Sequence, residues 1–337
     1  ELNFIGTHIA NTGSATRRWE HNDDRDLAGH LDLRYSHGLM TYSVGGMYRD
    51  KKRGSFFNEY TFDSTTGTAN PQYRGEDWNN FDELKLKPRP YGNIGDPLNY
   101  DATEQIGAAY AMAKAKGKRW DATVGLRAEH TVQGYTLIFP RDSDPDGEQR
   151  YTDILPSAHF KYEIHPKGRL HLSYNRSVNR PSFFEIVPYT IINEDYKEKG
   201  NPDLEHTVAD NIDLRYEFFP KGSEQVMVGL FYKHLHNPIE YGLINEGQDT
   251  YYKPMNLGNA TNAGVEIDVM KYFKCFGVKA NYTFTHSRIT TSKRTMQGSE
   301  VISVNQSRPL FGQAAHVANV SLLYKSSRWH WEGQISY

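Results

Sequence analysis

The sequence predicts an all-β protein, an antiparallel barrel whose strands cross a lipid bilayer. Three observations lead there. Apolar residues come singly, at every second position, in segment after segment of the chain. Such period-two switching puts oil-loving groups on one face of a strand and polar groups on the other. Most of these segments reach the roughly 9–11 residues that a tilted membrane strand needs, beyond the 5–6 usual in soluble sheets. The connections alternate between brief turns and long polar stretches, the asymmetry of a barrel whose short turns all lie on one rim.

Composition agrees. Of 337 residues only 37% are hydrophobic, yet 13% are aromatic, with 23 tyrosines. No apolar run approaches the roughly 18 residues of a membrane helix, so a chain that meets a bilayer here does so as a barrel. The net charge of −2 and the lack of a basic stripe give no sign of a nucleic-acid partner. The single cysteine, Cys275, rules out an internal disulfide and any cysteine-based zinc site. The first residues, ELNFIGTHIA, show no export signal, so the expectation is either a cytoplasmic protein or an internal piece of a longer exported chain.

Taken in order, thirteen strands are predicted near 2–11, 27–36, 39–49, 104–115, 119–132, 151–164, 169–178, 207–219, 223–235, 257–273, 277–289, 313–325 and 329–337. Leu31, Leu33 and Tyr35 oppose His30, Asp32 and Arg34, and Ala122, Val124 and Leu126 oppose Thr123, Gly125 and Arg127. Phe160, Tyr162 and Ile164 oppose His159, Lys161 and Glu163. Leu170, Leu172 and Tyr174 oppose His171, Ser173 and Asn175, while Ile212, Leu214, Tyr216 and Phe218 oppose Asn211, Asp213, Arg215 and Glu217. Val278, Ala280, Tyr282 and Phe284 oppose Lys279, Asn281, Thr283 and Thr285. Tyr48, Trp120, Tyr272, Trp329, Trp331 and Tyr337 sit near strand ends, where an aromatic girdle belongs. Long connections are expected at 12–26, 50–103, 133–150, 179–206, 236–256 and 290–312. The stretch between the strands ending near 178 and starting near 207 reads as too polar and too rich in turn formers to build a core. Thirteen is odd, and single-chain bacterial barrels have even strand numbers, so the sheet is expected to be part of a larger one.

Four motifs in fixed order carry a resemblance: SYNRSVNRPSFFEI (173–186), GNPDLE (200–205), FYKHLHNPI (231–239) and NATNAGVEIDV (259–269). Together they resemble the C-terminal barrel portion of TonB-dependent outer-membrane receptors. The likeness fits best from about Thr103 onward; residues 1–102 match mainly in style. It implies that 1–337 is one part of a single transmembrane barrel domain of about 22 strands around an N-terminal plug, with plug, coupling box and terminal strands absent from this chain. It also implies a place in the bacterial outer membrane among its lipids, and a scarce nutrient captured by surface loops: a siderophore, haem, oligosaccharide or peptide. Energy would come from the TonB complex acting through the plug, with a surface lipoprotein as a further partner, and no covalent chemistry. The charged face bearing Asp213, Arg215, Glu217, Glu266 and Asp268 would hold the plug.

Motif searches find no G-x-S-x-G elbow, phosphate loop or H-E-x-x-H helix. Rim hydrolases use acidic, Ser and His groups, and His206 with Asp203 is such a loop pair. A passive porin is the other alternative. Asp142, Asp144 and Asp146, with Gly147 next and Asp153 at position 12, have the spacing of a calcium loop. The short Asp at position 12, Arg150 at position 9 and the absence of flanking helices weaken that reading in favour of a solvated acidic turn. No other cofactor is expected. His234 and His236 share a strand face, which is suited to a metal but is not by itself a site. Arg176, Arg180, Asn201 and Asp203 occupy the family-like motifs, either on the ligand path or as turn formers and wall partners. Trp78 and Tyr91 stand among the aromatics of 50–103, which suit sugars, haem-like rings or peptides, or pack on each other.

Overall fold

The computed structural model describes residues 16–62, 86–88, 98–138, 145–192, 197–222, 224–247, 249–297, 300–326 and 331–337. In chain order they form β1 (Thr16–His37), β2 (Met40–Phe62), a short β3 (Leu86–Pro88), β4 (Tyr100–Lys116), β5 (Trp120–Leu137), β6 (Asp146–His165) and β7 (Gly168–Asn179). A one-turn helix α1 (Phe183–Ile186), β8 (Thr190–Ile192) and β9 (Lys197–Lys199) precede β10 (Thr207–Phe218) and β11 (Gln225–His236). Then come β12 (Ile239–Glu246), β13 (Asp249–Asn256), β14 (Asn259–Phe273), β15 (Phe276–Gln297), β16 (Glu300–Arg308), β17 (His316–Ser326) and β18 (Trp331–Ser336).

Twelve of these pair antiparallel with their chain neighbours in one twisted wall, β1-β2-β4-β5-β6-β7-β10-β11-β14-β15-β17-β18, with β3 and β16 added to β2 and β15. The wall is a partial barrel, unclosed among the described residues, with β1 and β18 at its margins. Twelve of the predicted strands are found; the one expected at 2–11 lies outside the described residues. Two-residue turns such as Gly38-Leu39 and Lys274-Cys275 join strands on one rim, and Gly38 supplies the left-handed φ of 58° that its turn requires.

Several strands outrun the expectation. β1 has 22 residues, β2 has 23 and β15 has 22, so parts of 12–26, 50–62 and 290–297, read as connections, are strand. Their outer faces show where the bilayer stops. Leu33, Val44, Val124, Leu126, Leu230 and Leu322 stay exposed in a band, as lipid-facing side chains must. Above it polar pairs appear on the outer faces of several strands. Gln105 Nε2 donates to Asp50 Oδ1 at 3.1 Å, His130 bonds Thr152 at 2.9 Å, and Arg176 pairs with Asp210, which lies opposite His234. The strands therefore continue past the hydrocarbon into the space where loops were expected. Of the girdle residues, Tyr48 and Trp120 face outward; Tyr272 has the opposite parity and lies over Gly277 on the lumen side.

The lumen face is ionic, and its charges meet across and along the strands. Arg53 Nε donates to Asp24 Oδ1 at 2.7 Å and Arg49 pairs with Asp26 from β2 to β1, while Arg127 Nε donates to Glu129 Oε1 at 2.5 Å within β5. These contacts are partly wet, so each adds little to stability.

A charge added to the two faces separates them. Leu230→Arg, in the outer band, is expected to cost about 2–4 kcal/mol, while Thr283→Arg on the lumen face stays within about 1 kcal/mol. Urea unfolding of the refolded barrel in lipid vesicles measures both; equal losses would contradict this assignment of faces.

Candidate functional site

The segment between β7 and β10 does not float above the wall. It turns into the lumen at Arg180-Pro181 and builds the main buried cluster of the described residues. Ser182 caps α1 in a capping box with Glu185, which fixes where the chain reverses. Phe183, Ile186, Val187, Tyr189 and Leu204 then pack on the lumen-facing Phe57, Tyr100, Ala102, Tyr135 and Leu137, joined by Leu98. Val187, Tyr189 and Leu204 are wholly buried. The expectation that this stretch is too polar for a core is thus corrected. Its few apolar groups gather on one side, and the wall supplies the rest. Lys51 and Arg53 lie over the Phe183 ring at 5.5 and 5.6 Å, a cation–π contact from the wall.

Polar bonds fasten the same segment. Arg180 Nη2 donates to Glu129 Oε2 at 2.6 Å and to Thr131 Oγ1 at 3.0 Å. Gln133 Nε2 donates to the Pro181 carbonyl at 2.8 Å, and Gln149 Nε2 to the Pro202 carbonyl at 2.8 Å. Asn201 Nδ2 donates to the Pro254 carbonyl at 2.9 Å, and its backbone N–H to the Glu185 carbonyl at 2.7 Å. The Asp203 backbone N–H donates to Asn201 Oδ1 at 3.3 Å. The four-stranded sheet β12-β13-β9-β8 continues this platform, with Lys197 on Asp249 at 2.5 Å and stacked Tyr241 and Tyr252 rings 5.0 Å apart. Burial, then the Glu198 carboxylate to which its hydroxyl donates, holds the Tyr189 phenol far above its ordinary range. Burial likewise pushes Tyr241 up to about 12.

Under this platform the wall of β5 and β6 leaves a recess of about 350 Å³, lined by Gln133, Tyr135, Gly147, Gln149, Pro188 and Asp203. Gln133 is only 2% exposed, and its Oε1 has no hydrogen-bond partner. A recess of this size lined by amide side chains and a carboxylate suits a ligand that makes hydrogen bonds.

The predicted residues divide. Arg180 and Asn201 are wall fasteners, and Asp203 lines the recess. Arg176 is not on the lumen path. It shares parity with Leu172 and Tyr174, faces outward, and holds Asp210 through Nε and Nη2 at 2.9 and 3.0 Å. His236 joins that group at 3.3 Å from Asp210, so His236 is tied to a carboxylate. Trp78, Tyr91, Asp142 and Asp144 lie outside the described residues. Asp146 opens β6 and Asp153 lies seven positions along the same extended strand, about 23 Å away at ~3.3 Å per residue. The loop spacing therefore does not bring these two together. Asp153 instead accepts from His206 Nε2 at 2.8 Å, and His206 stacks on Tyr151 at 3.9 Å. The rim pair expected for His206 with Asp203 is replaced by this one. Among the described residues no three His, Cys, Asp or Glu side chains are placed to hold a metal. Sequence reasoning missed Glu129, Gln133 and Gln149; their inward parity was the available signal.

Against known proteins, the pattern of the outer membrane protein beta-barrel family matches residues 77–335. No curated protein matches. Among solved structures, the siderophore receptor PiuA from Acinetobacter baumannii superposes with a TM-score of 0.62 at 13% identity, over 90% of this chain and 44% of that one. The ferric citrate transporter FecA, unliganded, gives 0.60 at 14% identity, over 95% and 42%. The FrpB iron transporter from Neisseria meningitidis gives 0.57 at 11% identity, over 93% and 42%. The chain thus spans less than half of each, and at these identities the likeness is one of fold.

Two substitutions test the platform. Phe183→Ala is expected to weaken docking of 182–204 by about 3–5 kcal/mol. Gly200→Ala would drive a Cβ into the Val187 carbonyl and the Tyr189 ring, displacing the same segment. Hydrogen exchange should rise in 182–204 for both while the β4–β6 amides stay protected; unchanged exchange would refute the packing role.

Proposed function

The chain belongs to the outer membrane protein beta-barrel family, and on that premise we propose that it is the wall of an energy-coupled receptor that imports a scarce nutrient. The wall sits in the bacterial outer membrane. The observation that carries the importer reading is the ligand-sized recess formed where 180–206 folds onto the lumen wall, on a fold shared with proteins described as a siderophore receptor and a ferric citrate transporter. In this reading the nutrient, a siderophore, haem, oligosaccharide or peptide, enters from the long-loop rim. It is held by hydrogen bonds to groups such as Gln133 and Asp203, with Trp78 and Tyr91 as further contacts from the surface insertion. The ionic lumen face keeps a plug in place through screened contacts, and the TonB complex draws on that plug. A surface lipoprotein is a further partner. The wall itself binds and positions; it carries out no bond chemistry.

A passive porin is the second reading, and one observation favours it: an inward-folded segment such as 180–206 also narrows a pore. Energy dependence separates the two. Cells carrying the full-length protein as their sole route for a labelled nutrient should stop accumulating it when a protonophore collapses the proton gradient. Uptake that persists and only equilibrates across the membrane would select the porin.

A further inference from the structure

Away from the recess, the periplasm-side half of the lumen wall holds a histidine pair that none of the contacts above uses. His159 on β6 and His171 on β7 both face inward and are diagonal neighbours, since His159 lies opposite Ser173 and Lys161 opposite His171. His159 Nε2 and His171 Nδ1 stand 3.4 Å apart, with ring centroids at 5.5 Å. The other nitrogen of His171, Nε2, lies 3.1 Å from Glu217 Oε2 on β10. We propose that this pair is a binding site for a divalent late first-row metal ion, with zinc the best match.

Four features support the assignment. Two nitrogens bound to one tetrahedral zinc at about 2.0–2.1 Å are separated by about 3.3–3.4 Å, the spacing found here. Glu217 holds the far nitrogen of His171, the carboxylate–histidine arrangement that fixes ring orientation and raises ligand basicity at metal centres. The pair opens on a recess of about 200 Å³, also lined by Asp213, Arg215, Gly229 and Glu266, where the missing side chain of Gly229 makes room for water. The recess lining is rich in carboxylate: Asp213 and Glu266 stand there beside Arg215, which Glu217 takes up at 3.0 Å, while Lys161, opposite His171 on β6, is a cation at its margin. With two protein ligands, the remaining positions fall to water, so the site is open to exchange. Such a site suits an ion in transit, or one shared with a group brought into the lumen, rather than a permanent structural metal.

The test uses untagged full-length protein in detergent carrying His234→Gln and His236→Gln, which removes the outward histidine pair as a competitor. Zinc is titrated against a chromophoric chelator. One equivalent should bind; His159→Gln and His171→Gln should each weaken it at least about 10-fold, and Glu217→Gln by about 10- to 100-fold. His316→Gln, on the outer face, should change nothing. Zinc should also shield His159 and His171 from diethylpyrocarbonate in the parent protein, read by mass spectrometry, a measurement that needs no lumen substitution. Affinity unchanged in His159→Gln and His171→Gln, or no zinc-dependent shielding, would reduce the pair to a hydrogen bond and overturn the assignment.

Discussion

Lateral pairing of the backbone is the constraint from which the rest follows. In hydrocarbon an unpaired N–H or C=O costs several kcal/mol, so each spanning strand must find both neighbours at full length. The observed ladders do this without interruption from β4 to β6 and from β10 to β15. Once the pairing is fixed, every side chain has only two directions available. Leu126, Leu214 and Leu230 go to lipid, and Arg127, Asp213 and Phe231 go to the lumen.

Such a wall cannot make a sandwich, because its apolar face is already satisfied by lipid. A dry protein core has to be assembled elsewhere, and the mouth of the lumen is where it forms. There the inward faces of β2, β4 and β5 change from charged residues to Phe57, Tyr100, Ala102, Tyr135 and Leu137. That patch accepts α1 and its flanking turns, and the carbonyls of Pro181, Pro202 and Pro254 are bonded by side-chain amides. Prolines offer no N–H, so leaving only carbonyls to satisfy makes them economical in a buried turn. The recess under this platform owes its shape to the same packing.

Around this patch and below it the lumen carries titratable groups. Pairs such as Arg53 with Asp24 hold neighbouring strands in register, but their partial exposure keeps their energies small. Their greater effect is on the field inside the lumen, and in the lining of the recess beside His171 the carboxylates Asp213 and Glu266 outnumber the single cation Arg215.

The sequence by itself determined the strands and their faces. A period of two is a local property, and lipid and water read it without reference to the rest of the fold. It even contained the answer for Arg176, whose parity matches Leu172 and Tyr174; the motif likeness drew it toward the ligand path when the alternation placed it outside. The diagonal approach of His159 and His171 was likewise implicit once the turn at 165–168 set the register. Only the tertiary structure decided what crosses the lumen. That Phe183 meets Phe57, that Arg180 finds Glu129, and that His206 takes Asp153 instead of Asp203 are contacts between segments tens of residues apart. They depend on wall curvature and on which strands lie near each other around the barrel, and no local periodicity encodes either.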